Sequence, residues 1–196
     1  LNYGVWQIEE FVELIEWMRA YNMNKSPGKQ IMFYGFDCQM SKGSVDYLKS
    51  VSHIIEYNFS LEELSLLDDL LKLQSTRDER LAQHIHPLLS NFINSFTKRI
   101  SDSDQNVTFK KTSLTVLKNL KYFCDTERNS EKQNGSNRAK FMADNVQHIL
   151  DIEGKNIKMV LSAHNGHITT NPKEKETGYW LKQIFGAKYY AIGYEF

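Results

Sequence analysis

The chain is poor in cysteine, in proline, in net charge and in long apolar runs, and each shortage removes a class of protein. Two cysteines, Cys38 and Cys124, are too few for a disulfide framework and lack metal-ligand spacing. Free thiols suit a reducing compartment such as the cytoplasm. Lys plus Arg total 24 and Asp plus Glu total 24, so the formal net charge is zero. A nucleic-acid binder normally carries a basic excess or stripe, and that class is set aside. No apolar run approaches the roughly 18 residues needed to cross a bilayer, which excludes a membrane span. A Gly-x-Ser-x-Gly elbow and a Walker-type phosphate loop are both missing, so serine acyl-enzyme chemistry and nucleotide hydrolysis lack support. The chain opens Leu-Asn-Tyr-Gly, with neither an initiator Met nor a signal-peptide pattern, and reads as a piece of a longer protein.

What remains is a chain of 196 residues, 41% hydrophobic, enough for one buried core. Prolines occur only at Pro27, Pro87 and Pro172, and no glycine lies between Gly43 and Gly135. A stretch without these breakers favours helices. Apolar residues recur there at helical spacing: Val45, Leu48, Val51 and Ile55; Leu61, Leu64, Leu67 and Leu71; Leu81, Ile85, Leu88, Phe92 and Phe96; then Leu114, Leu117, Leu120 and Phe123. Ser60 with Glu63 forms a capping box that starts a helix at Leu61. Pro87 is expected to kink or split the helix around it.

The flanks read differently. A helix carrying Ile8, Phe11, Ile15 and Met18 leads through Ser26-Pro27-Gly28 into a short apolar run, 30–36, that suits a buried strand. Near the other end a helix from about Arg138 to Glu153 stops at Gly154, followed by a strand at 157–163. A loop, a helix ending near Gly186 and a last strand at 189–194 complete the chain, and 129–137 is the one polar, linker-like stretch. Helix–strand alternation at both ends predicts an α/β fold: a parallel-type sheet flanked by helices, with a helical insertion at about 44–128 between strands. Three strands make a thin sheet, so the chain is expected to be a single incomplete domain.

In open α/β sheets, ligands bind beyond the carboxyl ends of the strands. The first expected strand runs out into Asp37-Cys38-Gln39 and the second into His164-Asn165-Gly166-His167. Asn-Gly supports a tight turn, so the two histidines can converge on one site. Imidazole there can donate and accept protons near neutral pH, or simply hydrogen-bond the local backbone. Cys38 beside Asp37 is a conceivable nucleophile, though nothing local depresses its pKa. Arg138 at a helix N-terminus is disfavoured by the macrodipole, and either a partner carboxylate, a substrate oxygen or plain solvation accounts for it. His84 and His86, two apart on a helix, point to different faces and make a poor chelate. With no His-Glu-x-x-His or cysteine pairs, no metal and no other cofactor is invoked.

These residues also carry a resemblance. Trp17-Met-Arg-Ala-Tyr-Asn22, Phe33-Tyr-Gly-Phe-Asp37 with Gln39, Arg138-Ala-Lys-Phe-Met-Ala-Asp-Asn145 and Ala163-His-Asn-Gly-His-Ile168 occur in order. Gly178-Tyr-Trp-Leu181, Phe185-Gly186 and Tyr190-Ala-Ile-Gly193 follow. The ordered series resembles the erythromycin esterase family over nearly the whole chain. The resemblance implies metal-free hydrolysis of an ester, such as a macrolide lactone, by histidine-activated water on an α/β core. It implies that His164 and His167 line the active cleft as catalytic residues, with Asp37, Arg138 and Asn165 binding substrate. The family's Gly-Glu-x-x-His-Gly motif, which holds its general-base histidine, is not in this sequence. The expectation is therefore a C-terminal portion of an esterase-type hydrolase with a small-molecule ester as its partner. The rival expectation is a non-catalytic binding module, in which the helical insertion forms an apolar groove for a hydrophobic ligand or partner helix.

Overall fold

A computed structural model describes residues 7–128, 134–154 and 157–194. The described residues are helical with no strand among them, and they fall into two compact units, 1–35 and 36–196. The expected parallel sheet is therefore absent from them, and the α/β assignment is corrected to all-helical.

In the first unit, helix α1 (Glu9–Asn22) opens with Glu9 and Glu10 and ends with Arg19, charges that suit its dipole at both ends. The run 30–35 that follows forms neither strand nor helix. Asn22 explains why: its Nδ2 donates to the Ile31 carbonyl at 2.8 Å, and its Oδ1 accepts the Ile31 N–H at 2.7 Å. One side-chain amide takes the donor and acceptor that a neighbouring strand would have used. Phe11 meets Phe33 edge-on at 5.8 Å.

The second unit is built on α2 (Lys42–Ile54), α3 (Leu61–Thr76), α4 (Glu79–Asp102) and α5 (Val107–Arg128). Helix α3 starts at Leu61 through the Ser60–Glu63 capping box, both of whose hydrogen bonds form. Helix α4 is not split at Pro87 and runs unbroken through it. The ring removes one hydrogen bond, but Ala82, Ile85, Leu89, Phe92, Phe96 and Ile100 bury one continuous face across the site. Packing outweighs the local defect. Val45, Leu48, Leu67, Leu70, Leu117, Leu120 and Phe123 join that face in a single core. The stretch expected as an insertion is thus the body of the unit.

Helix α6 (Asn134–Glu153) packs along α5 and on α8 (Thr177–Phe185), and the four-residue α7 (Asn165–Ile168) sits against α8. Gly154 follows α6 with φ +105°, the conformation expected of a terminating glycine. The expected linker at 129–137 is helical from Asn134, and its first five residues, 129–133, lie outside the described residues.

The other two expected strands, 157–163 and 189–194, form neither strand nor helix. Met159, Leu161 and Tyr189 pack onto a small core of Ala143, Val146 and Leu181, while Val160, Tyr190, Ile192 and Tyr194 are exposed. At Tyr194 the ladder is again replaced by an amide. Asn165 Nδ2 donates to the Tyr194 carbonyl, and Asn165 Oδ1 accepts the Tyr194 N–H at 3.4 Å. The apolar runs and breakers were read as strands, and none forms; a strand also needs a neighbour to bond.

Candidate active site

Two polar clusters of the second unit hold every residue proposed from the sequence. The first is built on α6. Arg138 Nε meets Asp37 Oδ1 at 3.0 Å and Nη2 meets Oδ2 at 2.7 Å, a bidentate pair of the strong planar kind. Seven residues on, along the same helix face, buried Asn145 donates from Nδ2 to the Phe36 carbonyl at 3.0 Å. Two turns of one helix therefore grip consecutive residues, Phe36 and Asp37. Since α6 begins at Asn134, Arg138 lies beyond the first turn, where the dipole cost expected from the sequence has largely faded. Its partner carboxylate is Asp37, one of the three explanations the sequence left open.

Cys38 follows Asp37, whose Oδ1 accepts the Cys38 N–H at 2.7 Å. Burial, and next the Asp37 carboxylate, push the thiol up to about 12, against a lowering pull from Arg138. A thiol so raised is no nucleophile near neutral pH. Cys124 is likewise pushed up to about 12, first by burial and then by Asp125. The sign of the linked stability follows. The native state keeps both protons while the unfolded chain loses them from pH 9.0 upward, so stability falls as pH rises from there towards about 12. Tyr57, Tyr122 and Tyr189, each raised chiefly by burial, act in the same direction. Urea midpoints should therefore drop as pH rises from about 9 towards about 12, and iodoacetamide should label both thiols far faster in urea than in buffer. Rapid labelling of the native protein near neutral pH would contradict this account.

The second cluster is the turn His164-Asn165-Gly166-His167. His164 is the N-cap of α7, its Nδ1 accepting the Gly166 N–H at 3.0 Å. A histidine thus does the work usually given to Ser or Asp. Asn165 directs its amide to the Tyr194 backbone, as above, so the group proposed to bind substrate holds the C-terminal segment in place. His167, 25% exposed, has Nδ1 at 3.2 Å from Glu176 Oε2. Sequence reasoning missed Glu176. Its one signal was a carboxylate at the residue before the last helix, an N-cap position where the long Glu side chain caps poorly and is available for other work.

The four loop and insert histidines separate. His86 Nε2 pairs with Asp125 Oδ1 at 3.0 Å between α4 and α5, in a network with Lys121. His164 and His167 share α7 and the residue before it. Among the described residues, no three of His, Cys, Asp and Glu converge as a donor set for a metal ion, and no helix is long and apolar enough to cross a membrane.

Comparison with known proteins adds one result. A family model described as erythromycin esterase matches residues 1–196, the whole chain. No curated protein and no solved structure matches it.

Proposed function

Because the chain belongs to the erythromycin esterase family, we propose that it takes part in hydrolysing a carboxylic ester of a small molecule, such as a macrolide lactone, by histidine-assisted attack of water. One observation carries the reading. His164 and His167 lie on one short turn outside the helical core, and each imidazole is tied to the protein through Nδ1. Tying a ring at Nδ1 fixes its orientation and directs Nε2 to proton-transfer or oxyanion work. The family's Gly-Glu-x-x-His-Gly histidine, the general base implied by the resemblance, has no counterpart in the sequence. The work proposed for His164 and His167 is to orient the water, stabilise the oxyanion or protonate the leaving alkoxide. Asp37 and Arg138 would shape the cleft as a fixed pair.

The binding-module reading has less behind it. The helical stretch 44–128, which would form its apolar groove, buries Val45, Leu48, Leu67, Ile85, Phe96 and Leu120 against one another. The testing experiment compares the 196-residue chain with the full gene product that carries it, each given erythromycin and an aryl ester. Turnover is expected from a protein carrying the family's base motif and none from the chain by itself. Turnover by the chain alone, abolished by His164→Ala or His167→Ala, would move the base into this turn. No turnover by the full product on any ester would sink the hydrolase reading.

A further inference from the structure

The two histidines of the turn are bonded at the same ring atom by partners of opposite kind. A backbone N–H can only donate, so His164 Nδ1, which receives the Gly166 N–H, must carry a lone pair. The proton of neutral His164 then sits on Nε2, a donor. A carboxylate can only accept, so His167 Nδ1, 3.2 Å from Glu176 Oε2, must carry the proton. Nε2 of His167 is then an acceptor. Three residues apart, the rings present complementary faces.

Glu176 itself is placed for this. It is the N-cap of α8, and its main-chain carbonyl accepts the Trp180 N–H at 3.3 Å in the ordinary way. Its carboxylate makes no cap hydrogen bond and turns to the imidazole instead. Gly178 lets this corner close, since α8 passes so near the Ile168 and Thr169 carbonyls that any Cβ there would strike them. The carboxylate is therefore brought back onto a histidine nine residues earlier.

We infer that Glu176 is a positioning residue that fixes His167 as its Nδ1–H tautomer, so that His167 holds the attacking water through Nε2 while His164 offers its Nε2–H to the oxyanion. The division of labour rests on the hydrolase reading; the tautomers do not.

The test separates the two. In the chain labelled with ¹⁵N-histidine at pH about 8, above the ordinary imidazole range, long-range ¹H–¹⁵N spectra report which nitrogen is protonated. His164→Gln and His167→Gln assign the signals. His167 should be protonated at Nδ1 and His164 at Nε2, and Glu176→Ala should move the His167 proton to Nε2 without changing His164. A His167 already protonated at Nε2, or one indifferent to Glu176→Ala, overturns the inference. Glu176→Gln, nearly the same shape, covers the case in which the alanine variant fails to fold, since its amide oxygen still accepts from Nδ1–H and should keep the tautomer. In the full gene product, Glu176→Ala should lower kcat on the order of 10–100-fold with KM within about twofold, and Glu176→Gln should recover part of it. A lower melting temperature with unchanged kcat would reduce Glu176 to a strut and overturn the positioning role. If His167→Ala left kcat untouched, the hydrolase reading would fall while the tautomer result stood.

Discussion

Replacing His164 or His167 by alanine in the full gene product should cut kcat/KM by 10²–10⁴-fold, roughly 3–5 kcal/mol of transition-state stabilisation. The melting temperature should scarcely move. His164 is exposed and contributes one cap to a four-residue helix, while the His167 ring, 25% exposed, is paired with Glu176. Side chains in such positions carry little packing energy. His84→Ala and His86→Ala provide the contrast. His86 pairs with Asp125 between α4 and α5, so its loss should lower thermal stability and change kcat/KM by less than about threefold. The assay is ester turnover with a parallel melt for each variant. If His164→Ala and His167→Ala matched the insert variants in activity, the turn would be structural and the catalytic assignment would be lost.

The helices were legible because their signals are local. Ser60 and Glu63 name the start of α3 by chemistry that acts over three residues, and Gly154 ends α6 through one dihedral. The buried faces of α2 and α5 follow the 3.6-residue spacing closely. In α3 the buried face is Leu66, Leu67, Leu70 and Leu73 rather than the expected stripe, with Leu61 83% and Leu64 39% exposed, and in α4 Leu88 is 46% exposed. Pro87 shows the limit of local signals: its hydrogen-bond defect is visible in the sequence, but the buried face that carries the helix across it is a property of three neighbouring helices.

Strands depend on partners far away in sequence, and there the reading failed. The runs 30–36, 157–163 and 189–194 have the right composition, and the apolar residues Met159, Leu161 and Tyr189 do face a core. At Ile31 and Tyr194, however, an asparagine amide takes the bonds of a sheet neighbour. Asn22 and Asn165 look like ordinary turn residues in the sequence, and nothing in their spacing announces this use. The site was legible in part for the same reason. His164, Asn165 and His167 share one turn, so adjacency alone groups them. Asp37 and Arg138 are 101 residues apart, and their bidentate contact exists only once α6 has docked on the segment at Phe36. Glu176 stayed hidden because the loop that returns it to His167 closes through a steric condition at a different residue.

That residue is Gly178, and Gly178→Ala should be the most damaging single-methyl change in the second unit. A Cβ at 178 would overlap the Ile168 carbonyl and stand 2.8 Å from the Thr169 oxygen. Both obstacles are backbone, so no rotamer change relieves them. Overpacking of this kind costs about 1–3 kcal/mol and reaches beyond that when the main chain cannot yield. For a chain of this size each kcal/mol lowers the melting temperature by roughly 2–4 °C. The displaced carbonyls belong to the end of α7, so His167 must move with them and away from Glu176. Activity should fall along with stability, unlike the histidine variants, which lose activity alone. Gly43→Ala is the control: it lies in the first turn of α2, where a Cβ meets nothing within 4 Å. That change should be neutral or stabilise by up to about 1 kcal/mol, because alanine restricts the unfolded chain and favours helix. Melting curves and turnover for the two variants decide the matter. A Gly178→Ala protein as stable and active as Gly43→Ala would mean that α7 and α8 can separate freely, and the closed corner holding His167 against Glu176 would have to be abandoned.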